Sequence, residues 1–106
     1  MRRGEIWWTE FEPARGVEVK KTRPAAILSI DQVNRARGTV ILVPLSTAPR
    51  PYPPISVAVD SAGRRGVAKC DQIRAVDKSR LSRRVGALSE ADLKRVEEAV
   101  RQVLGL

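Results

Sequence analysis

The apolar positions of the chain change period as one reads along it, and the changes mark out its elements. Gly4–Phe11 nearly alternates, with Ile6 and Trp8 on one side and Trp7, Thr9 and Phe11 on the other. That predicts a first strand with both faces partly covered. Pro13 ends it, and the polar run 12–22, with Gly16 near its centre, predicts an exposed loop. Pro24 suits a first strand position, where a missing backbone donor is tolerated. Ala25–Ile30 is a continuous apolar run with the length of a buried strand, and residues 31–34 read as a helical turn or loop. Gly38 opens the β-branched run Thr39–Val43, central in character. Residues 46–54 hold Pro49, Pro51, Pro53 and Pro54 with Arg50 and Tyr52, and predict a stiff, irregular, solvent-facing loop. Ile55–Val59 alternates again, and residues 60–66 form a turn with two glycines. Residues 67–70 and 72–76 are two short strand-like pieces, 77–81 a helical turn, and 84–87 a further short strand.

The last segment has a different period. Ser89 stands three residues before Asp92, the spacing of a capping box. Leu93, Val96, Val100, Val103 and Leu104 then recur at helical spacing, with Ala99 on the same side and Lys94, Arg95, Glu97, Glu98, Arg101 and Gln102 opposite. Gly105 suits the C-terminal stop. Many short strands and one terminal amphipathic helix predict a mainly β fold, a small and strongly curved barrel-like sheet rather than a parallel α/β one. The 106 residues make one domain, 1–106, able to bury roughly two-thirds of its unfolded surface.

Composition narrows the function classes. With 42% hydrophobic and 30% charged residues and no run near the ~18 apolar residues of a membrane span, no membrane role is expected. Arg2 and Arg3 precede no apolar stretch of signal-peptide length, so a cytoplasmic location is the default expectation. Cys70 is the single cysteine and there is no histidine. An internal disulfide, a soft-metal site and a Cys–His nucleophilic pair therefore all drop out, and Cys70 reads as a small buried apolar residue. The net charge is +8, unevenly spread: residues 1–88 carry 17 basic and 8 acidic side chains, the last 18 carry 3 and 4. The basic excess lies on the body of the domain and points to a polyanionic or strongly acidic partner.

Without histidine, chemistry on a polyanion must use what remains. Glu18 and Arg23 sit five positions apart at the mouth of the Ala25–Ile30 strand, and the next strand runs into Ser46. Metal-free cleavage of an RNA phosphodiester has three needs: removal of the 2′-hydroxyl proton, stabilisation of charge on the phosphoryl oxygens, and departure of the 5′ oxygen. An arginine fork suits the second and makes a poor base. A carboxylate such as Glu18 suits the first, and a hydroxyl such as Ser46 can donate to a phosphoryl oxygen. General acid–base help is worth roughly 10²–10⁴-fold and one preorganised donor about 10²–10³-fold, so two or three such groups can matter without a metal. On local sequence alone the plainer readings weigh more: Arg23 as a strand-edge arginine, Glu18 as a solvated carboxylate, Ser46 as a strand end. Trp7 and Trp8 read as packing rather than base-stacking residues, and Arg64-Arg65 and Arg83-Arg84 as solvated faces. Tyr52, exposed by its proline-rich context, is the better stacking candidate.

A resemblance raises the functional reading. Gly4-Glu5-Ile6-Trp7, Gly16-Val-Glu18, Lys21-Thr-Arg23-Pro24-Ala25, Asn34, Val43-Pro44-Leu45-Ser46, Asp71-Gln72-Ile73-Arg74, Asp77-Lys78, Arg80-Leu81 and Val85-Gly86 follow one another in an order that resembles the MazF/PemK-type toxin endoribonucleases. The resemblance runs from about Arg3 to Leu104. It implies an SH3-like barrel of the CcdB/PemK type with helices, a homodimer, and a cofactor-free, metal-independent, sequence-selective ribonuclease on single-stranded RNA that leaves a 2′,3′-cyclic phosphate and a 5′-hydroxyl. It also implies a MazE-like antitoxin whose acidic segment occupies the RNA groove. It sets the catalytic arginine on Arg23, the catalytic threonine on Ser46 and an implicated glutamate on Glu18. Serine keeps the hydroxyl and loses the methyl that restricts its rotation; Thr47 is the neighbouring alternative. Lys20, Lys21, Arg74 and Tyr52 are the further RNA-binding candidates. Two other readings stand beside this one: a CcdB-like gyrase poison, against which the Arg23-Pro24-Ala25 segment weighs, and a basic RNA-binding module without catalysis.

Overall fold

The computed structural model describes residues 1–12, 15–18, 21–47, 50–61 and 66–106. Seven strands and two helices run in the order β1 (Glu5–Glu10), β2 (Thr22–Ile27), α1 (Asp31–Ala36), β3 (Thr39–Ser46), β4 (Ser56–Val59), β5 (Gly66–Lys69), β6 (Arg74–Asp77), β7 (Leu81–Ala87) and α2 (Glu90–Leu104). Single helical turns, Cys70–Gln72 and Lys78–Arg80, join β5 to β6 and β6 to β7. The predicted strands are therefore present, with β3 and β7 longer than the patterning indicated.

All strand pairs are antiparallel, in the path β4-β5-β3-β2-β1-β7, with β6 also on β3. One edge of β3 faces β2. The other is shared, by β6 along Thr39–Leu42 and by β5 at Leu45 and Ser46. Pro44 marks the changeover. Ile41 turns both its N–H and its C=O toward the β2 end, onto Ser29 and Leu28. Two-fold alternation turns the backbone of residue 44 to the opposite edge, in the gap between β6 and β5, where a missing donor costs nothing. Among the described residues no pairing returns from β7 to β4 or β6. The expected mainly β class with a C-terminal helix is what the chain adopts; the barrel-like sheet is not closed, and its central strand divides one edge between two partners.

Alternation on β2 and β3 sends side chains to two cores. Ala26, Val43 and Leu45 join Ile6, Val57, Val59, Ala68, Cys70, Val96 and Ala99 in an outer core beneath α2. Ala25, Ile27, Val40 and Leu42 join Phe11, Val76 and Leu81 in an inner core, with Trp7 packed against it. Two covered faces explain why these strands read as continuous apolar runs. The Ala25–Ile30 run stops pairing at Ile27 because Ser29 is buried in a polar pin: its hydroxyl accepts from Ile41 N–H at 2.9 Å and bonds the Asn34 side chain, whose amide donates back to Ser29 C=O at 2.9 Å.

Helix α2 begins at Ser89, whose hydroxyl accepts from Asp92 N–H at 3.1 Å, and ends at Gly105, whose φ of 71° needs a residue without Cβ. Val96 and Ala99 are buried, and full burial of a valine-sized side chain contributes about 1.5–3 kcal/mol. Leu104, expected on the apolar face, is 52% exposed, while Val100 and Val103 pack against the outer core. Asp92 does more than the capping pattern suggested. Its buried Oδ2 accepts from Asp60 N–H, Ser61 N–H and Ser61 O–H at 2.9, 2.9 and 2.6 Å, and Oδ1 pairs with Arg95 at 2.7 Å. Burial alone would raise its pKa; the Ser61, Asp60 and Arg95 hydrogen bonds outweigh that and hold the carboxyl below its ordinary value.

A candidate nucleic-acid interface

Strand register sets Arg23 and Ser46 on facing strands, two residues beyond the last β2–β3 pair. The β2–β3 ladder matches Ile27 to Leu42, Ala26 to Val43 and Ala25 to Pro44. Continued for two residues past its last pair, the same register sets Arg23 opposite Ser46. Both positions lie on the side that carries Ala25 and Leu42 into the inner core, so both side chains belong to the open end of that face. On the far side of Arg23, β1 supplies Thr9, fully buried. On the far side of Ser46, β5 pairs it with Val67, and a Cβ at the adjoining Gly66 would lie 2.7 Å from Ser46 C=O. Ser46 is therefore held by a close backbone approach that only glycine permits.

Arg74 joins the same face. It stands opposite Leu42 on β6, with its guanidinium 5.8 Å from the centre of the buried Phe11 ring. Such a cation–π contact is worth about 0.5–1 kcal/mol at a partly exposed site and fixes the side chain's direction. Leu42 and Ser46 are four residues apart, about 13 Å along a strand. Arg74 thus suits a phosphate near the one that Arg23 and Ser46 would hold, not the same one.

A groove runs past Arg74 and past Val67, the β5 partner of Ser46. One lobe, about 580 Å³, is lined by Val17, Glu18, Asp71, Gln72, Ile73 and Arg74. A second, about 310 Å³, is lined by Arg50, Tyr52, Ile55 and Lys69, and again by Asp71 and Gln72. The turn Cys70–Gln72 is the shared wall. It is anchored by the fully buried Cys70 and by a 3.3 Å hydrogen bond from Asp71 N–H to Ile55 C=O. Burial, helped by the nearby Asp71 charge, pushes the Cys70 thiol up to about 11, so it stays an inert packing group.

Tyr52 is 65% exposed, as its proline context predicted. Its backbone is pinned, donating to Ser56 Oγ at 2.9 Å and accepting from Ser56 N–H at 3.0 Å. Glu18 lines the first lobe beside Arg74, and its carboxylate accepts from Arg15 N–H at 2.6 Å. No hydrogen bond or ion pair links Glu18 to Arg23; Glu18 shares its cavity with Arg74, and Arg23 and Ser46 lie on neighbouring strands outside that lining. Lys21 is exposed with a φ of 66°, unusual for a residue with a Cβ. It is held there by its N–H donating to Glu12 Oε1 and its C=O accepting from Phe11 N–H, both at 2.9 Å. Arg80 ties down the same segment through the Glu10 and Glu12 carbonyls. Lys20 and the Arg64-Arg65 pair lie outside the described residues.

Among the described residues, carboxylates pair with Arg3, Arg84 and Arg95, and none pairs with Lys21, Arg23, Arg50, Lys69 or Arg74. Three of these cations, Arg50, Lys69 and Arg74, line the groove. No group of three or more His, Cys, Asp or Glu among the described residues has the arrangement of a metal site. Arg50, Lys69 and Asp71 line the groove; none of them stood among the candidate site residues, Asp71 having entered only as part of the Asp71-Gln72-Ile73-Arg74 order. The available signal was Asp71, an acidic residue in a turn three positions ahead of Arg74.

The family model described as PemK-like, MazF-like toxin of type II toxin-antitoxin system matches residues 2–104. An endoribonuclease MazF9 from Mycobacterium tuberculosis is 36% identical over 116 aligned positions, covering 100% of this chain and 98% of the relative. The endoribonuclease toxin MazF of Escherichia coli is 28% identical, covering 96% and 92%. Among solved structures, MazF from Deinococcus radiodurans superposes with a TM-score of 0.89 at 27% identity, covering 100% of this chain and 97% of that one. A MazE–MazF crystal structure from the same organism gives 0.82 at 26% identity, covering 100% and 97%.

Proposed function

The chain belongs to the PemK-like, MazF-like toxin family of type II toxin–antitoxin systems, and from that premise we propose that it is a metal-independent endoribonuclease acting on single-stranded mRNA. The observation that supports the reading is the β2–β3 register, which extended by two residues faces Arg23 with Ser46, beside a groove whose Arg50, Lys69 and Arg74 form no ion pair among the described residues.

In this mechanism the scissile phosphate sits between the Arg23 fork and the Ser46 hydroxyl. Glu18, set beside Arg74 in the structure, leaves the Arg15 amide and swings toward Arg23 to take the 2′-hydroxyl proton. The 2′ oxygen forms a bond to phosphorus, the P–O5′ bond breaks, and the 5′ oxygen is protonated from water. The products are a 2′,3′-cyclic phosphate and a 5′-hydroxyl. Arg23 holds the charge that builds on the phosphoryl oxygens, where a preorganised donor has its largest effect. Arg74 and Lys21, with Lys20, grip neighbouring phosphates, and Tyr52 stacks a base. The donor set suits this chemistry: guanidinium, hydroxyl and one carboxylate, with no histidine in the chain.

A MazE-like antitoxin would place acidic side chains in the same groove, as its cation excess invites; the Deinococcus MazF is solved with its MazE. A homodimer is part of the same proposal, supported by the exposed Ile41 and Leu106 around a cavity of about 360 Å³ also lined by Leu28, Ile73 and Val100. The cytoplasm, where mRNA is translated, is the proposed site of action. The test is incubation of the pure protein with a long RNA in EDTA, followed by mapping of the cut ends. Cyclic-phosphate and 5′-hydroxyl termini are expected, with the matching DNA strand bound and uncut. Cleavage of DNA, or dependence on a divalent ion, would refute the mechanism.

A further inference from the structure

The second lobe of the groove holds a carboxylate that the cleavage chemistry does not use. Asp71 is exposed, lies in the wall common to both lobes, and among the described residues its carboxylate accepts no hydrogen bond and joins no ion pair. Its neighbours in the lobe, Arg50 and Lys69, are cationic, and so is Arg74 across the wall. Such a groove attracts phosphate, and a carboxylate inside it repels phosphate. An ionised carboxylate only accepts, so what it favours in a nucleic acid is a base edge rich in N–H donors. Across the same lobe stands Tyr52, the one exposed aromatic ring among the described residues, on a backbone already pinned to Ser56. The Asp71 backbone is pinned as well, by Ile55. An acceptor and a stacking surface, each on a fixed base, face one cavity.

We propose that this lobe reads a guanine of the bound RNA, with Asp71 accepting from its adjacent N1–H and N2–H2 groups while Tyr52 stacks on its face. Guanine presents two neighbouring donors on its Watson–Crick edge, which match the two oxygens of a carboxylate. Uracil presents one donor flanked by acceptors that the carboxylate repels, and adenine and cytosine present a single amino group beside a ring acceptor. Arg50 and Lys69 then hold the flanking phosphates. The inference rests on the reading of the groove as an RNA site, so its test uses binding rather than cleavage.

The probes are 2′-O-methyl heptanucleotides, which cannot be cut, carrying one guanosine, inosine, adenosine or cytidine in a uridine background. Affinity is measured by fluorescence anisotropy. Inosine keeps N1–H and lacks the 2-amino group. One hydrogen bond to a charged acceptor corresponds to about 10–150-fold in binding, so the guanosine probe is expected to bind at least tenfold more tightly than the inosine probe. In Asp71→Ala the guanosine and inosine probes should bind alike, and the all-uridine probe no worse than to the parent. Exposure of Asp71 and the backbone origin of its contact to Ile55 keep that variant folded, which a melting curve checks. Tyr52→Ala should weaken every probe without altering the guanosine-to-inosine ratio. Equal binding of guanosine and inosine by the parent protein, or a ratio unchanged in Asp71→Ala, overturns the proposal and leaves Asp71 to face a cationic group of a protein partner. Guanosine selectivity in a protein that cuts no RNA would instead sink the nuclease mechanism and leave this inference standing.

Discussion

The facing of Arg23 and Ser46 makes a quantitative demand: their contributions to cleavage must be coupled. Arg23→Ala removes a forked donor from a developing charge, a loss of about 10²–10³ in rate. Ser46→Ala removes one hydroxyl donor to a charged oxygen, worth about 10–150-fold. Directly opposed residues in an antiparallel pair stand about 4.5–5.5 Å apart, close enough to grip one phosphate. Removing the first partner then loosens the phosphate that the second one held. Groups in contact through a shared partner typically couple by about 0.5–3 kcal/mol, so the double variant should fall short of the multiplied losses by about 2–150-fold. Neither substitution should unfold the protein: both side chains are half-exposed, and Arg23 makes no ion pair among the described residues. The assay is single-turnover cleavage of an RNA oligonucleotide with enzyme in excess, run on the parent, both single variants and the double, with melting curves for each. Losses that multiply would mean that the two residues act on different phosphates. Cleavage by Arg23→Ala within a few-fold of the parent would remove that residue from the chemistry altogether.

Three further outcomes follow from the geometry. Asp92→Asn should lower stability by about 2–3 kcal/mol at neutral pH, since an amide oxygen cannot replace a charged acceptor of this many donors. The native carboxyl titrates below its ordinary value, so its contribution is complete above about pH 4 and is lost as pH falls through the lowered folded value; urea melts from pH 2 to 7 should show a shallower acid decline in the variant. Lys21→Gly should raise the melting temperature, because relieving a left-handed residue is worth about 1 kcal/mol, while weakening RNA binding measured at low salt. Gly66→Ala should cost about 1–3 kcal/mol and reduce cleavage as well, because the new Cβ meets the Ser46 carbonyl; a variant with full activity would show that Ser46 is not held there.

Much of this architecture was legible because it depends on local rules. Period-two and period-3.6 patterns gave the strands and α2, and Ser89 and Gly105 gave the helix ends. Arg23, Ser46 and Glu18 stood out by residue type and by resemblance. What escaped the sequence depends on distant chain segments. Asp92 looks like a capping-box residue, and only the packing of α2 against residues 60–61 turns its carboxylate to three other donors. Ala25–Ile30 looks like one strand, and only the Ser29–Asn34 pin cuts it short. The open sheet could not be read at all, since the partition of one strand edge between β5 and β6 is invisible in either sequence segment. Asp71 was missed for the same reason, because its meaning comes from the cations and the ring that the fold gathers around it.

The changeover at Pro44 separates two tasks along a single strand. Arg74 hangs from β6 beside the first half of β3, whereas Tyr52 and Lys69 lie with the hairpin that docks on the second half, next to Ser46. Drift at Tyr52 and in the loop before β4 therefore alters the base-facing lobe alone, while a change at the Gly66 end of the hairpin also displaces the Ser46 backbone.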